Sequence, residues 1–198
     1  TRMRSEGCLF IKHDPKHGRI ICGNYVDDLV CLTKSEHLRD EWRKGLERAF
    51  RKVEFSDDCD FLLGMKITRG VDTRGARYVE LSNETNIEKV AALCQISDVH
   101  KTRVTPLHEN TKLYKKGEEP ASLRPIDFQP NFEYARVLGG ILYIANTTRP
   151  DLITPISRLS RYVADPSAHH HKYLQEVIIH AYQTKDRALR FTQMPVSQ

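Results

Sequence analysis

The amino-acid sequence predicts an α+β fold in which an antiparallel sheet with one packed helix precedes a small helical bundle. Residues 19–33 contain two apolar, β-branched runs, and the tetrapeptide Tyr25-Val26-Asp27-Asp28 between them has the character of a tight hairpin turn. Residues 36–52 repeat apolar side chains every three or four positions, as an amphipathic helix does. Three more stretches with this spacing follow residue 132. Strands followed by helices are typical of the α+β class.

The first sheet is predicted to be a meander of three strands. Residues 8–12 form an apolar strand, and Pro15 and Gly18 favour a loop over residues 14–18. The hairpin supplies the second and third strands. Its turn places the carboxylates of Asp27 and Asp28 at one edge of the sheet.

One helix is predicted to pack on this sheet. Thr33 and Glu36 have the spacing of a capping box, which opens a helix that extends to about residue 52. Burial of Trp42, Leu46 and Phe50 on its apolar stripe is expected to contribute about 1.5–3 kcal/mol for each side chain. The alternative for Trp42 is a platform on which a base stacks, and core packing is favoured.

A second hairpin and another helix follow. Strands are predicted at residues 61–69 and 76–82, with a turn at 71–75, and a helix at 83–96. The acidic segment 56–60 is predicted to be an exposed turn rather than a metal site. Two interpretations stay open for Arg69, Arg74 and Arg77, which either meet phosphates or are solvated charges.

Residues 101–131 are predicted to be a long connection between two halves of the molecule, since Pro106, Pro120, Pro125 and Pro130 interrupt them. Helices are then predicted at residues 132–147, at 150–163 and after Asp165-Pro166. The predicted regions are therefore 1–100, 101–131 and 132–198. Two adjacent glycines within the first of these helices, Gly139 and Gly140, cost about 1 kcal/mol each relative to Ala, which suggests close helix packing there.

Composition narrows the class of protein. The chain has 198 residues, and 31 Lys and Arg outnumber 26 Asp and Glu, which gives a formal charge of +5 and suits a polyanionic partner. No apolar run approaches the roughly 18 residues that span a bilayer, so a membrane protein is not expected. The five cysteines lack metal-site spacing and mostly lie in apolar runs, which predicts reduced core thiols rather than a disulfide framework.

Two clusters of side chains raise the question of a metal. Adjacent carboxylates at Asp27 and Asp28 repel each other unless a divalent cation lies between them, and Mg²⁺ selects such hard oxygen ligands. The alternative is a solvated turn rich in aspartate. His169, His170 and His171 point about 100° apart on a helix and cannot chelate one ion together, so they are predicted to be the polar start of a helix.

An ordered set of motifs resembles the copia-type LTR retrotransposon reverse transcriptases. The tetrapeptide at residues 25–28 resembles the YxDD signature of reverse transcriptases. The further matching segments, in the family's order and near its spacing, are Phe61-Leu62-Leu63-Gly64-Met65-Lys66-Ile67, Val104-Thr105-Pro106-Leu107, Leu138-Gly139-Gly140-Ile141-Leu142-Tyr143, Thr148-Arg149-Pro150-Asp151, and Leu159-Ser160-Arg161-Tyr162 with Pro166 and His170. The resemblance covers residues 8–191.

The resemblance implies a palm-like sheet followed by a thumb and connection. It implies Asp27 and Asp28 as catalytic, Mg²⁺-binding residues of a two-metal nucleotidyl transfer, which requires a further carboxylate. In the family that carboxylate and the fingers lie upstream of the matched region. Mg²⁺ is thus expected only if the site is completed by another segment, and no cofactor is expected otherwise.

Two functions follow as hypotheses. The first is a non-catalytic remnant retained as a nucleic-acid-binding or structural subunit, for example in a ribonucleoprotein such as a mitochondrial ribosome. The second is part of an active RNA-directed DNA polymerase. The expected partners are RNA or an RNA/DNA duplex and proteins that cover the open palm edge, in an intracellular location with the mitochondrion as one candidate. The candidate nucleic-acid-binding residues are Arg149, Arg158, Arg161, Lys172 and Lys185. The alternative is that Arg149 pairs with Asp151 or caps a helix carbonyl and that the others are solvated.

Overall fold

The computed structural model describes residues 6–97, 102–120, 122, 123, 126 and 128–193. It has two antiparallel sheets and five α-helices among these residues, which confirms the α+β class. The chain divides into two compact units, one up to Leu63 and one from Gly64. Pro125 of the predicted connection lies outside the described residues.

The first unit opens with the predicted three-stranded meander. Its strands are β1 (Leu9–Asp14), β2 (Gly18–Tyr25) and β3 (Asp28–Thr33), paired antiparallel in the order β1-β2-β3. The β1–β2 turn forms because an oxygen of Asp14 accepts hydrogen bonds from the backbone N–H groups of Lys16 and His17, at 2.9 and 2.7 Å. Gly18 ends the turn with a φ of 87°, which favours glycine.

Helix α1 (Glu36–Ala49) follows the meander and faces it. The predicted capping box is wrong in register, because the N-cap is Ser35, whose hydroxyl accepts the backbone N–H of Leu38 at 3.3 Å. Leu38 and Ile20 are fully buried between helix and sheet. Phe50 was predicted to be buried and is instead 56% exposed, because the helix ends before it and Phe50 turns away as the C-cap residue. A short strand β4 (Phe61–Leu62) closes the unit.

The second unit contains the predicted hairpin and one further strand that was not predicted. The hairpin strands are β5 (Met65–Val71) and β6 (Arg77–Ser82), and β7 (Leu189–Thr192) pairs antiparallel with β6. An oxygen of Asp72 shapes the hairpin turn by accepting the backbone N–H groups of Arg74 and Ala76, both at 2.9 Å. Segment 189–192 was missed because it has only four residues.

The main hydrophobic core lies among the helices of the second unit. These are α2 (Glu84–Leu93), α3 (Tyr134–Thr147), a 3₁₀ turn (Pro150–Leu152), α4 (Ile153–Ser160) and α5 (Ala168–Gln183). Helix α2 packs on α3 and α5, so it shares their core instead of that of the first sheet, although it falls within the predicted region 1–100. Its stripe of Ile87, Val90, Ala91 and Cys94 is buried as predicted. The described part of residues 101–131 contains neither helix nor strand, as expected of a connection.

The three consecutive histidines begin helix α5, as predicted. The N-cap is Ser167 rather than the predicted Asp165-Pro166 pair, and its backbone N–H donates to Nδ1 of His170 at 2.9 Å. The His170 ring is buried and stacks on Tyr162 with centroids 4.0 Å apart. Burial is the largest influence on this imidazole and lowers its pKa.

No helix in the described ranges is long and apolar enough to cross a membrane.

Candidate functional site at the Asp27–Asp28 hairpin

Asp27 lies in the two-residue loop between β2 and β3, and Asp28 follows it at the start of β3. Tyr25 pairs with Asp28 across the hairpin, so Val26 and Asp27 form the loop and Asp28 is the first residue of β3. The prediction of a tight turn is confirmed, but its two loop residues are Val26 and Asp27 rather than the two aspartates. Tight hairpin loops need positive φ values, and Val26 adopts a φ of 52° although it is β-branched. The loop conformation is therefore strained at a side chain that is 82% exposed.

Both carboxylates are exposed and line a cleft of about 1250 Å³ within the first unit. The same cleft is also lined by Asp57, Asp58 and Asp60 of the acidic segment, which is exposed or half-exposed as predicted. Nearly thirty residues separate this segment from the hairpin, so its position at the same cleft was not predictable from the sequence. Helix α1 contributes Arg43, whose guanidinium lies 2.6 Å from the Asp57 carboxylate, so cations offset part of the negative charge.

The carboxylates suit a hard cation in donor chemistry but supply only part of a site. Mg²⁺ takes oxygen ligands in an octahedral arrangement, and Asp27 and Asp28 offer such oxygens at the tip of the hairpin. Over the part of the chain that the structure describes, no three His, Cys, Asp or Glu side chains are grouped so that they could hold a metal ion. Asp27 and Asp28 would therefore hold Mg²⁺ only together with further ligands.

Arg149 does not lie on a nucleic-acid-binding surface. Its side chain is 2% exposed and forms a two-pronged ion pair with Asp151, with Nε–Oδ1 and Nη2–Oδ2 distances of 2.9 and 2.7 Å. It also donates to the backbone carbonyl and the hydroxyl of Thr184 at the end of α5, at 2.9 and 2.8 Å. The prediction of phosphate binding is corrected here, because these donors are already committed. The alternative, that Arg149 pairs with Asp151 or caps a helix carbonyl, is what the structure shows, since both contacts are present.

The same cluster joins the connection to the helical core. Nδ1 of His180 lies 3.0 Å from the backbone carbonyl of Arg103 and therefore donates to it, while Nε2 is 3.7 Å from Asp151. Burial opposes ionisation of Asp151, but the nearby His180 and the guanidinium of Arg149 outweigh it and hold the pKa of this carboxyl well below its usual range. The cluster is thus a structural clamp.

The other four basic candidates differ in availability. Arg158 is half-buried and donates to the backbone carbonyl of Thr111 in the connection. Lys185 forms ion pairs with Glu88 and with Glu84, the latter at 3.6 Å. Arg161 is exposed and Lys172 is half-exposed. These placements leave Arg161 and Lys172 as the candidates best presented to a phosphate backbone.

The relatives of the chain are retrotransposon proteins. It is 28% identical over 191 residues to a putative transposon Ty5-1 protein of Saccharomyces cerevisiae, across 92% of this chain and 58% of the relative. It is 28% identical over 166 residues to the retrovirus-related Pol polyprotein from transposon TNT 1-94 of Nicotiana tabacum, across 84% of this chain and 12% of that polyprotein.

A third relative is the retrovirus-related Pol polyprotein from transposon RE2 of Arabidopsis thaliana, 26% identical over 169 residues, or 83% of this chain and 10% of that polyprotein. The chain is therefore related to the Pol polyproteins of copia-type retrotransposons, as its motifs indicated. It spans little more than half of the yeast relative and about a tenth of each plant polyprotein. No protein-family model matches the chain, and no solved structure matches it.

Proposed function

We propose that this chain acts as a nucleic-acid-binding or structural component derived from a copia-type Pol polyprotein, and that it does not catalyse nucleotidyl transfer by itself. The observation that carries the proposal is the setting of the Asp27–Asp28 hairpin. Both carboxylates are exposed at the tip of the hairpin, and within the described ranges they do not join a third ligand side chain in a group that could hold a metal ion. Two-metal chemistry needs ions clamped on both the attacking and the leaving oxygen, which two adjacent carboxylates alone do not arrange.

The excess of basic residues supports a polyanionic partner, RNA or an RNA/DNA duplex. A net charge of +5 attracts phosphates over distances of about a Debye length, and Arg161 and Lys172 remain presented on the helical unit. A ribonucleoprotein, for example a mitochondrial ribosome, is the kind of intracellular assembly that would use such a component.

The first unit supports a protein partner as well. Among residues 6–63, only Ile20 and Leu38 have fully buried apolar side chains. By contrast, Leu29 and Leu32 on β3 are 41% and 62% exposed. A strand with exposed apolar side chains at the edge of a sheet tends to associate with other chains. We propose that a partner protein covers this part of the sheet.

The second candidate function is a share in an RNA-directed DNA polymerase. It is favoured by the tight hairpin, which presents two carboxylates to a wide cleft, and by the relatives, which are Pol polyproteins. In this case Asp27 and Asp28 would hold Mg²⁺ together with carboxylates of another segment, and the metal would activate the attacking oxygen and stabilise the leaving pyrophosphate.

RNA affinity measured across a salt series tests the first function. Each neutralised phosphate releases condensed counterions, so about six contacts would lower affinity on the order of a thousandfold between 50 and 200 mM salt. The variant with Arg161→Gln and Lys172→Gln should bind more weakly at low salt and reduce the logarithmic salt slope by about 1 to 2. Lys16→Gln in the first unit is the matched control for the loss of one surface charge. Unchanged affinity and slope in the double variant would remove these residues from the interface and leave protein contacts as the role of the chain.

A further inference from the structure

Two cysteines lie directly opposite each other on the hairpin that carries Asp27 and Asp28. In the register of β2 and β3, Cys22 pairs with Cys31, three steps from the closing pair Tyr25 and Asp28. The side chains of directly opposed residues project from the same face of an antiparallel sheet. Both thiols therefore lie on one face of the sheet.

The hydrogen-bond phase of the strands identifies the type of pair. The backbone N–H of Asn24 donates to the carbonyl of Cys8, next to the start of β1, at 2.9 Å. Because backbone groups alternate in direction along a strand, Cys22 also directs its N–H and C=O towards β1 and not towards β3. Cys22 and Cys31 consequently occupy a non-hydrogen-bonded position, where α-carbons approach to about 4.5 Å. This separation falls at the short end of the range that a disulfide spans, about 4.4–6.8 Å.

The two thiols are in contact and reachable. Both are free and half-buried, and each lies within hydrogen-bond reach of the other. Burial raises the pKa of the Cys22 thiol to about 11. Burial also raises the pKa of Cys31, but the hydrogen bond with Cys22 and the guanidiniums of Arg39 and Arg43 act against it. Cys31, which lines the open cleft, is the thiol better suited to react first.

We propose that low-molecular-weight disulfides such as oxidised glutathione oxidise Cys22 and Cys31 to a reversible cross-strand disulfide between these two residues. The Cys31 thiolate attacks one sulfur of the oxidant and forms a mixed disulfide, releasing one glutathione thiolate. The Cys22 thiolate then attacks the Cys31 sulfur and displaces the second glutathione thiolate. Two electrons pass to the oxidant, and the two thiol protons end on the two reduced glutathiones.

The disulfide would fix the segment that presents the aspartates. It closes a covalent loop from residue 22 to residue 31, and the turn of this loop contains the strained Val26. In the chain-entropy account, closing a loop of this length lowers the unfolding equilibrium constant on the order of a hundredfold. The dithiol and disulfide states would thus differ in how firmly the hairpin holds Asp27 and Asp28 at the cleft.

One tryptic peptide reports the reaction directly. Cleavage after Arg19 and Lys34 releases residues 20–34, which contain Cys22 and Cys31 and no internal Lys or Arg. The full chain is incubated with oxidised glutathione under native conditions, its remaining thiols are blocked with N-ethylmaleimide, and it is digested. The expected peptide carries no label and is lighter by two hydrogen atoms, while dithiothreitol before blocking restores two labels.

Three comparisons make the result decisive. In Cys31→Ser the peptide should instead carry one glutathione on Cys22, whereas Cys59→Ser, the matched control, should leave the disulfide unchanged. In urea, where the register of β2 and β3 is lost, the disulfide between Cys22 and Cys31 should form more slowly than the mixed disulfides of these cysteines with glutathione. Hydrogen exchange of the β2 and β3 amides should slow on the order of a hundredfold after oxidation. Two labels on residues 20–34 while the exposed Cys8 is glutathionylated would overturn the proposal, as would a disulfide that forms only in urea.

Discussion

Helix α3 provides a matched pair of glycines on which the packing of the helical core can be tested. A Cβ added at Gly140 would lie 2.7 Å from Cγ2 of Val90 on α2, whereas a Cβ at Gly139 would meet nothing within 4 Å. We predict that Gly140→Ala destabilises the protein relative to Gly139→Ala. The two substitutions are chemically identical and adjacent in the chain.

The magnitude follows from two opposing effects. Replacing glycine by alanine inside a helix contributes about 1 kcal/mol of stability, and this effect is common to both variants. At Gly140 the new methyl group overlaps a carbon that would normally stay about 3.5–4.0 Å away. Val90 is 6% exposed, and a β-branched side chain in a helix has essentially one rotamer, so it yields little. Overpacking of this kind costs about 1–3 kcal/mol, which is therefore the expected difference in unfolding free energy between the two variants.

Urea unfolding followed by far-ultraviolet circular dichroism measures this difference. Helical signal is the appropriate probe because the single tryptophan, Trp42, lies in the first unit. Val90→Ala is the control: in the double variant with Gly140→Ala the added methyl group should be partly accommodated, with a favourable coupling energy of about 0.5–3 kcal/mol. Equal stability of Gly139→Ala and Gly140→Ala would refute the close packing of α2 on α3.

The remaining predictions concern the turn, the clamp and the helix cap. Val26→Asn should relieve the positive-φ strain and stabilise the hairpin by about 1 kcal/mol, seen as slower exchange of β2 and β3 amides, and faster exchange would contradict this. The folded pKa of Asp151 lies below its unfolded value, so its contribution to stability is complete above about pH 4 and is lost as the pH falls further. Asp151→Asn should therefore remove this part of the loss of stability in acid. An unchanged dependence of unfolding on pH in the acid range would count against the clamp. Burial lowers the pKa of His170, so protonation favours the unfolded chain and stability should fall as the pH drops below about 6.5. In His170→Gln the dependence of stability on pH in this range should be weaker. A pH dependence equal to that of the wild type would exclude the role of His170 in the helix cap. The chain expressed alone should self-associate through its exposed sheet, and a monodisperse monomer in sedimentation would argue otherwise.

Elements with strong local patterns were predictable from the sequence. The apolar runs around Asp27 and Asp28 correctly predicted the meander, and the stripe of Ile87, Val90 and Cys94 correctly predicted a buried helical face. The motif order also gave the relationship to copia-type Pol polyproteins. These features depend on neighbours in the sequence or on ordered motifs, so they are visible without coordinates.

Features that depend on distant residues were not predictable. From the sequence, Arg149 could be a surface cation or pair with Asp151, and only its bonds to the distant Thr184 show that it is buried at the end of α5. Gly139 and Gly140 are equivalent in sequence, and the position of Val90 alone distinguishes them. The opposition of Cys22 and Cys31 required the register of the hairpin, which depends on a loop centred at Val26 and Asp27.

Template-dependent primer extension tests the central proposal most directly. The purified chain is incubated with an RNA template, an annealed DNA primer, the four deoxynucleotides and either Mg²⁺ or Mn²⁺, with Asp27→Asn as the control that removes one hairpin carboxylate. We expect no extension by either protein, because the hairpin carboxylates alone do not arrange two metal ions. Extension by the wild-type chain that Asp27→Asn abolishes would contradict the proposal and identify the chain as a polymerase in its own right.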